Sequence, residues 1–184
     1  GAFNITYRPL EKYPAERVVP TEYDSLFRKQ LIRGTVHDEG AAMLGGVSGH
    51  AGLFATGNDL LKLVEMYRRG GEYGGVRVLS SDVVRKYTAV QFPDNDNRRG
   101  LGFDKPLLRN DTLPPDEAYP CPSASPASFG HSGFTGTFIW CDPDEEISYV
   151  FLSNRVYPTR NNSRLSDLSI RGKILQAVYD ARID

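Results

Sequence analysis

The spacing of apolar runs and glycine-containing turns in the last third of the chain constrains the fold most. Two runs, 128–133 and 137–141, flank a short link that contains Gly136, a pattern typical of antiparallel strands joined by a tight turn. A polar turn leads to a third run at 147–153, and segment 165–181 repeats apolar residues at helical spacing. Three strands and a helix with short links predict an α+β fold, an antiparallel sheet packed by helices.

The same runs predict which surfaces are buried. The third run is continuously apolar over 149–152, which predicts a strand covered on both faces. The final helix is predicted to bury one apolar face, formed by Ile170, Ile174, Ala177, Val178 and Ala181.

The first two thirds of the chain contain fewer regular signals. Residues 1–20 hold three prolines and are predicted to be an extended, irregular N-terminal segment. Near-helical apolar spacing predicts a short helix at 21–32, and the glycine-rich stretch 34–57 is predicted to be irregular. Residues 93–126 are polar and proline-rich, which indicates a long surface excursion with one short strand.

Two helices and one strand between these segments have clear local signals. Thr56 can cap a helix with Asp59 at its third position, as in a capping box, and a glycine pair ends that helix. A short strand is predicted at 76–79, and Ser80 or Ser81 then caps a second helix.

Composition narrows the function classes. The chain has 184 residues, enough for one domain, with 22 basic and 23 acidic residues and a net charge of −1. This balance gives no electrostatic footprint for nucleic acid, and no apolar run reaches the ~18 residues of a membrane helix. Cys121 and Cys141 are too few and too far apart for a zinc site or a disulfide scaffold, and they leave the redox compartment open.

The stretch around His131 carries the strongest candidate chemistry, and residues 129–137 read Phe-Gly-His-Ser-Gly-Phe-Thr-Gly-Thr. One interpretation is a glycine-bounded strand end with an exposed histidine. A nucleophile elbow, G-x-S-x-G, fails because Phe134 occupies the last position and because an elbow needs strand–turn–helix order. An α/β-hydrolase would also need parallel strands alternating with helices.

The order of several motifs favours a third interpretation. In chain order the motifs are Gly-Thr-Val-His-Asp-Glu at 34–39, Gly-Val-Ser-Gly-His-Ala-Gly-Leu-Phe-Ala-Thr at 46–56, His-Ser-Gly at 131–133, Asp-Pro at 142–143 and Phe-Leu-Ser-Asn-Arg at 151–155. Together with the closing helix, they resemble the serine β-lactamase and penicillin-binding-protein family. The resemblance implies that residues 1–184 form a single partial domain, the C-terminal part of an incomplete β-lactamase/transpeptidase-like fold.

An acyl-serine mechanism follows from this resemblance. Family members use the Ser and Lys of an S-x-x-K motif, a Tyr or Ser of a second motif, and a K-T-G-like strand. Here His131, Ser132 and Gly133 occupy the K-T-G-like positions, and the N–H of Phe134 would be one arm of the oxyanion hole.

The nucleophile motif is not found in this sequence. No serine has lysine three residues later, and no tyrosine has asparagine two residues later. The resemblance therefore implies that the N-terminal part of the same parent protein is the partner of this chain, and that the chain alone is inactive. The alternative is a non-catalytic binding or scaffold module that has kept the fold, and an S-x-x-K motif upstream of Gly1 would distinguish the two.

Histidine in place of lysine at position 131 bears on the substrate. A lysine there is a fixed cation, whereas histidine has a reference pKa of ~6.5 and is mostly neutral at pH 7. Because esterases and peptidases of the family often carry histidine here, the resemblance favours an ester or small amide over a β-lactam without excluding the latter. It also implies a bacterial periplasmic or cell-surface location.

Five further polar residues are candidates for structural or binding roles near the site. His37 and Asp38 are predicted to stabilise the glycine-rich loop along the cleft rim and to contact substrate, and His50 is predicted to be a packed structural histidine. Asn161 and Arg164 could reach an anionic substrate, although helix capping by Asn161 or its neighbour is the favoured alternative. Their spacing and composition predict neither a metal site nor a cofactor site.

Strand 147–153 raises the question of what covers its edge. In the family's fold the two N-terminal strands pair beside the last strand, and this chain lacks them. An apolar strand with an open edge invites another chain to add to it. We therefore expect association of copies through this edge, exchange of segments, or use of residues 2–20 as a substitute strand.

Overall fold

The computed structural model describes residues 1–182. Its helices are α1 Glu39–Met43, α2 Gly57–Arg68, α3 Ser81–Thr88, α4 Arg164–Asp167 and α5 Ile170–Asp180. Its strands are β1 Pro20–Asp24, β2 Gln30–Arg33, β3 Glu72–Tyr73, β4 Val76–Arg77, β5 Phe129–Ser132, β6 Phe138–Asp142 and β7 Ile147–Phe151. Within this described part of the chain, no helix is long and apolar enough to cross a membrane.

A three-stranded antiparallel sheet in the order β5–β6–β7 forms the centre of the fold. Residues alternate between its two faces. Phe138 and Trp140 pack with Leu175 of α5 on one face, whereas Ile139 and Cys141 pack with residues of α2 on the other. The predicted α+β fold with an antiparallel sheet packed by helices is confirmed. Among residues 1–182, no strand pairs with the second edge of β7.

Asp142 at the end of β6 connects the sheet to the surrounding segments. Its carboxylate is fully buried and accepts hydrogen bonds from the Ser125 N–H at 2.9 Å and from the Tyr179 hydroxyl at 2.7 Å. Both cysteines lie nearby as buried free thiols, and burial raises the pKa of Cys121 to about 12. These thiols are packing groups, because the reactive form of cysteine is the thiolate.

The prediction of a helix at 21–32 is wrong, because β1 and β2 form an antiparallel hairpin there. The carboxylate of Asp24 accepts the backbone N–H groups of Leu26, Phe27 and Arg28, which fixes a tight turn between the strands. The apolar residues that suggested a helix stay exposed, and the buried side chains of β1 include charged Glu22 and Asp24.

The closing helix was predicted as one element and is two. Ser169 has a φ of 50°, a left-handed conformation that interrupts the helix between α4 and α5. The predicted buried face is also wrong, since Ile174 and Val178 are 39% and 37% exposed. Leu175 and Tyr179 are buried instead, because their side chains meet the sheet and Asp142.

Predictions in the middle of the chain are confirmed more often. Thr56 caps α2 by accepting the Asp59 N–H at 3.3 Å, and Ser80 caps α3. The carboxylate of Asp59, however, binds Asn4 and Lys62 rather than closing a capping box. The short strand predicted within residues 93–126 is wrong, because this segment has no strand and takes part only in isolated bridges, of Asn97 to Phe92 and of Asp104 to β5.

Burial differs from prediction in β7. Only Ile147 of this strand is buried, and the other four residues are half-buried. Helix α2 covers one face of β7. The outer edge of β7 has no neighbouring strand in the described residues. The continuous apolar run therefore predicted more burial of β7 than the described residues provide.

Candidate functional site

The tight turn between β5 and β6 forms the centre of the candidate site, and we call residues 133–136 the β5–β6 turn. The strands pair in register up to Ser132 and Phe138, and Gly133 N–H then bonds Thr137 at 2.8 Å. Gly136 N–H closes the turn on the Gly133 carbonyl at 3.0 Å. Gly136 has a φ of 122°, and a Cβ there would lie 2.6 Å from the hydroxyl oxygen of Ser153, so this position requires glycine.

Arg155 holds the middle of the β5–β6 turn. Its Nε donates to the Phe134 carbonyl at 2.8 Å, and its backbone N–H donates to the Thr135 carbonyl at 2.8 Å. The guanidinium carbon also lies 4.4 Å from the centre of the Phe134 ring. The Nη1 of Arg155 donates to the carbonyls of Arg160 and Asn162, which ties the loop after β7 to the turn.

Arg171, in the first turn of α5, holds the two ends of the β5–β6 turn. Its Nη2 donates to the Gly133 carbonyl at 3.0 Å and its Nε to the Gly136 carbonyl at 3.2 Å. Ser153 adds a hydroxyl hydrogen bond of 2.8 Å to the Gly136 carbonyl. All four carbonyls of the turn therefore accept hydrogen bonds from inside the protein.

The N–H groups in the middle of the turn are free by contrast. Among residues 1–182, the amides of Phe134 and Thr135 donate no hydrogen bond, and Phe134 is 60% exposed. Fixed N–H groups that have no hydrogen-bond acceptor inside the protein can bind an anion or a developing oxyanion. This arrangement can therefore stabilise negative charge at the exposed tip of the hairpin.

The histidine predicted for catalysis precedes the first of these amides by three residues. His131 is exposed near the end of β5, and its Nδ1 lies 2.8 Å from the carbonyl oxygen of Ser132. Ser132 and Gly133 follow it, so the four consecutive residues predicted as catalytic, His131 to Phe134, span the end of β5 and the start of the turn, and their catalytic role stays a prediction.

His37 reaches the same segment from the other side. Its ring centre lies 5.4 Å from that of Phe134, so Phe134 packs between His37 and Arg155. His37 is buried, and its Nε2 lies 2.8 Å from the Glu22 carboxylate. The ring therefore supports the Phe134 side chain from within the fold.

A buried ionic cluster fixes His37 and the loop after β7. Arg160 forms two-nitrogen contacts with Glu22 at 2.9 and 2.8 Å and bonds Glu39 at 2.8 Å. Burial alone would raise the pKa of Glu22, but the contacts with Arg160 and His37 together outweigh it and lower that pKa. The Arg160 hydrogen bond likewise lowers the pKa of Glu39, and the Glu22 hydrogen bond raises the pKa of Arg160. The cluster is thus ionised across the neutral range.

Asp38 and His50 organise the glycine-rich loop. Asp38 caps α1 by accepting the Ala41 N–H at 2.7 Å and also lies 3.0 Å from the His50 Nε2. The Nδ1 of His50 lies 2.8 Å from the Ser48 hydroxyl. The prediction of a packed His50 is wrong, because its side chain is 60% exposed and polar contacts alone hold it. The Ala41 and His50 hydrogen bonds lower the pKa of Asp38.

Asn161 and Arg164 lie in and after the loop that Arg155 ties to the turn. Both residues are exposed, and neither side chain bonds the β5–β6 turn within residues 1–182. The predicted capping by Asn161 or Asn162 is wrong, because Ser163 is the N-cap of α4 and its side chain makes no capping hydrogen bond. Asn162, one residue earlier, accepts the Arg164 N–H at 3.2 Å. The sequence motifs did not reveal the roles of Arg155 and Arg171, because a hydrogen bond from arginine to a backbone carbonyl has no local sequence pattern.

Comparisons with known proteins identify the family of this chain. A family model described as beta-lactamase matches residues 6–170. A predicted D-alanyl-D-alanine carboxypeptidase of Escherichia coli O157:H7 is 31% identical over 197 aligned positions, which cover 100% of this chain and 44% of the relative. A protein of the same name from Salmonella typhi is 34% identical over 159 positions, covering 85% of this chain and 35% of the relative.

One solved structure also matches part of this chain. A predicted beta-lactamase from Bacteroides dorei DSM 17855 matches with a TM-score of 0.38 and 19% identity, covering 71% of this chain and 47% of that one. The chain spans less than half the length of the curated relatives named above. Since the family model covers most of the sequence, the chain belongs to the β-lactamase family.

Proposed function

We propose that this chain forms one wall of the active site of a serine hydrolase that acts through an acyl-serine intermediate. The observation that carries the proposal is the β5–β6 turn, in which internal donors hold every carbonyl while the Phe134 and Thr135 amides donate to no group of residues 1–182. Such fixed donors stabilise the oxyanion of a tetrahedral intermediate without rearrangement. In this proposal the Phe134 N–H is one arm of the oxyanion hole.

The nucleophile and its base come, in this proposal, from the N-terminal part of the same parent protein. The sequence contains no S-x-x-K motif, and the named relatives are more than twice as long as the region they share with this chain. The second oxyanion donor would be the nucleophile's own N–H. The chain alone would then lack both the attacking group and one oxyanion donor, and would be inactive.

The proposed substrate is a small molecule with an ester, an amide or a β-lactam ring. The relatives' names point to amides that end in D-alanine, whereas histidine at position 131 is less suited than lysine to hold a substrate carboxylate permanently. We assign His131, Ser132, Gly133 and Phe134 to the reacting side of the site. A bacterial periplasmic or cell-surface location fits such a substrate.

Four residues are proposed for substrate binding at the edges of the site. Asp38 stands on the glycine-rich loop, and Asn161 and Arg164 are exposed beside the loop that Arg155 holds. His37 is buried behind Phe134 and would act mainly through that ring. For these residues substrate contact stays a prediction.

The test compares the 184-residue chain with the full-length parent protein. We expect the chain alone to hydrolyse neither nitrocefin nor p-nitrophenyl acetate above a heat-denatured control, and to resist a fluorophosphonate label. The full-length protein should be labelled once per molecule and should hydrolyse the ester. Stoichiometric labelling of a serine in the chain alone would refute the proposal, and an unlabelled, inactive full-length protein would favour the binding or scaffold module.

A further inference from the structure

The peptide group between Gly133 and Phe134 has two ends with different environments. Its N–H is the free Phe134 amide, and its carbonyl oxygen is that of Gly133. The carbonyl accepts two hydrogen bonds, from Gly136 N–H at 3.0 Å and from Arg171 Nη2 at 3.0 Å. Because a peptide group is planar and its two ends are conjugated, a cation bound at the oxygen changes the donor strength at the nitrogen.

The charge of Arg171 is not neutralised by a neighbouring carboxylate. Within residues 1–182, no Asp or Glu oxygen lies within 4.0 Å of its guanidinium nitrogens. Most of the other arginines do have a carboxylate partner at that distance. Arg171 is half-buried, and burial lowers its pKa, yet an arginine remains protonated in proteins. A full positive charge therefore lies against the carbonyl of the peptide whose N–H is free.

Arg155 has a different target. Its Nε bonds the Phe134 carbonyl, which belongs to the next peptide group, the one that carries the Thr135 N–H. Arg155 also stacks on the Phe134 ring and binds two carbonyls of the loop after β7, so a substitution there would disturb several contacts at once. By contrast, within the described residues the Arg171 side chain makes hydrogen bonds only to the β5–β6 turn.

We propose that Arg171 is a positioning residue that orients and polarises the Gly133–Phe134 peptide, so that the Phe134 N–H becomes a stronger donor to the reaction oxyanion. This inference rests on the proposed function and deepens it. A hydrogen bond from a cation to the carbonyl favours charge separation along the peptide, and the effect grows as negative charge develops at the N–H. Arg171 would therefore stabilise the transition state more than the bound substrate.

The experiment uses the full-length parent protein with Arg171→Gln and Arg171→Lys. The glutamine variant keeps an N–H donor but removes the charge. The lysine variant keeps the charge on one compact ammonium group in place of the planar guanidinium. Arg77→Gln is the matched control, because Arg77 also donates to two backbone carbonyls, those of Gly70 and Leu79, at 3.0 and 3.1 Å in another hairpin. The measurements are kcat and KM for p-nitrophenyl acetate and the carbonyl stretching frequency of the trapped acyl-enzyme.

We expect Arg171→Gln to lower kcat about tenfold with little change in KM, a fraction of the ~100-fold loss typical of removing an oxyanion donor. The acyl carbonyl stretch should move to higher frequency, because a weaker hydrogen bond polarises it less. Arg171→Lys should recover part of both effects, and Arg77→Gln should match the wild type. If the glutamine variant does not fold, a partial kcat loss and frequency shift in the lysine variant carry the same test.

Two outcomes would overturn the inference while leaving the proposed function in place. One is an active wild type whose Arg171 variants keep the wild-type kcat and carbonyl frequency. The other is a loss confined to KM or reproduced by Arg77→Gln. A full-length wild type that neither hydrolyses the ester nor forms an acyl-enzyme would instead refute the proposed function and the inference with it.

Discussion

Replacing Arg160 with methionine removes the guanidinium that contacts the buried Glu22 through two nitrogens. Glu22 is 2% exposed, and it would lose guanidinium bonds of 2.9 and 2.8 Å while keeping the His37 ring at 2.8 Å. Removing one partner of a buried ion pair typically costs about 3–5 kcal/mol, because the remaining charge stays away from water. Glu39 also loses a bond, but its side chain is 36% exposed and can rehydrate, so it adds little.

The pH dependence of this loss follows from the sign of each pKa shift. In the wild type the pKa of Glu22 is lowered, so its stabilising contribution is present above the unfolded value of ~4.3 and is lost below it. In Arg160→Met, burial would raise this pKa, so the penalty exists at pH 7 and is relieved as Glu22 takes up a proton. We expect the loss at pH 5 to be about 1–2 kcal/mol smaller than at pH 7.

Urea unfolding followed by Trp140 fluorescence measures the effect. Trp140 is the only tryptophan and is fully buried in the sheet, so its emission reports loss of the core. With an unfolding slope of about 2 kcal/mol per M, a loss of about 4 kcal/mol lowers the midpoint by about 2 M at pH 7. A second variant, Glu22→Gln with Arg160→Met, removes both charges and should lose less than Arg160→Met alone.

A surface ion pair provides the matched control. Arg85→Met breaks a helix pair with Asp82 in which both side chains are mostly exposed, and it should cost under about 1 kcal/mol at both pH values. The reasoning fails if Arg160→Met costs no more than this control at pH 7. A loss that stays equal or grows at pH 5 would also contradict the assigned charge state of Glu22.

Two further predictions concern the site and the sheet edge. In the full-length parent, His131→Ala should lower kcat/KM more than His50→Ala, because His131 adjoins the free amides whereas His50 bonds only Ser48 and Asp38; equal, near-wild-type activity for both variants would contradict this. The 184-residue chain should associate through β7, whose second edge has no strand within residues 1–182, and light scattering at micromolar concentration checks it. A strictly monomeric chain would show that the predicted strand order is wrong.

Local sequence signals determined the elements whose hydrogen bonds are local. Thr56, and Ser80 as one of two neighbouring serines, were predicted as helix caps because a cap bonds an amide only three residues away. The β5–β6 hairpin was predicted because alternating apolar runs and a required glycine lie within fifteen residues. The order of motifs in the chain likewise supported the family and located His131 to Phe134 at the turn.

Long-range contacts decided what the sequence alone could not. The hairpin at 21–32 is turned locally by Asp24, but its buried Glu22 is paired by Arg160, which lies 138 residues away. The face of α5 that is buried depends on the hydrogen bond between Tyr179 and Asp142, again between distant segments. A periodic pattern shows which residues are apolar, but not which partners will satisfy buried charges.

The β5–β6 turn shows this division within a single site. Its glycines and the histidine before it are evident from the sequence, because tight turns require particular residues at fixed positions. Its free amides depend on Arg155 and Arg171, which come from a loop and a helix about twenty and forty residues later. An arginine bonds any carbonyl within its reach, so only the packing of α5 and the loop after β7 against the sheet determines which carbonyls these two residues hold.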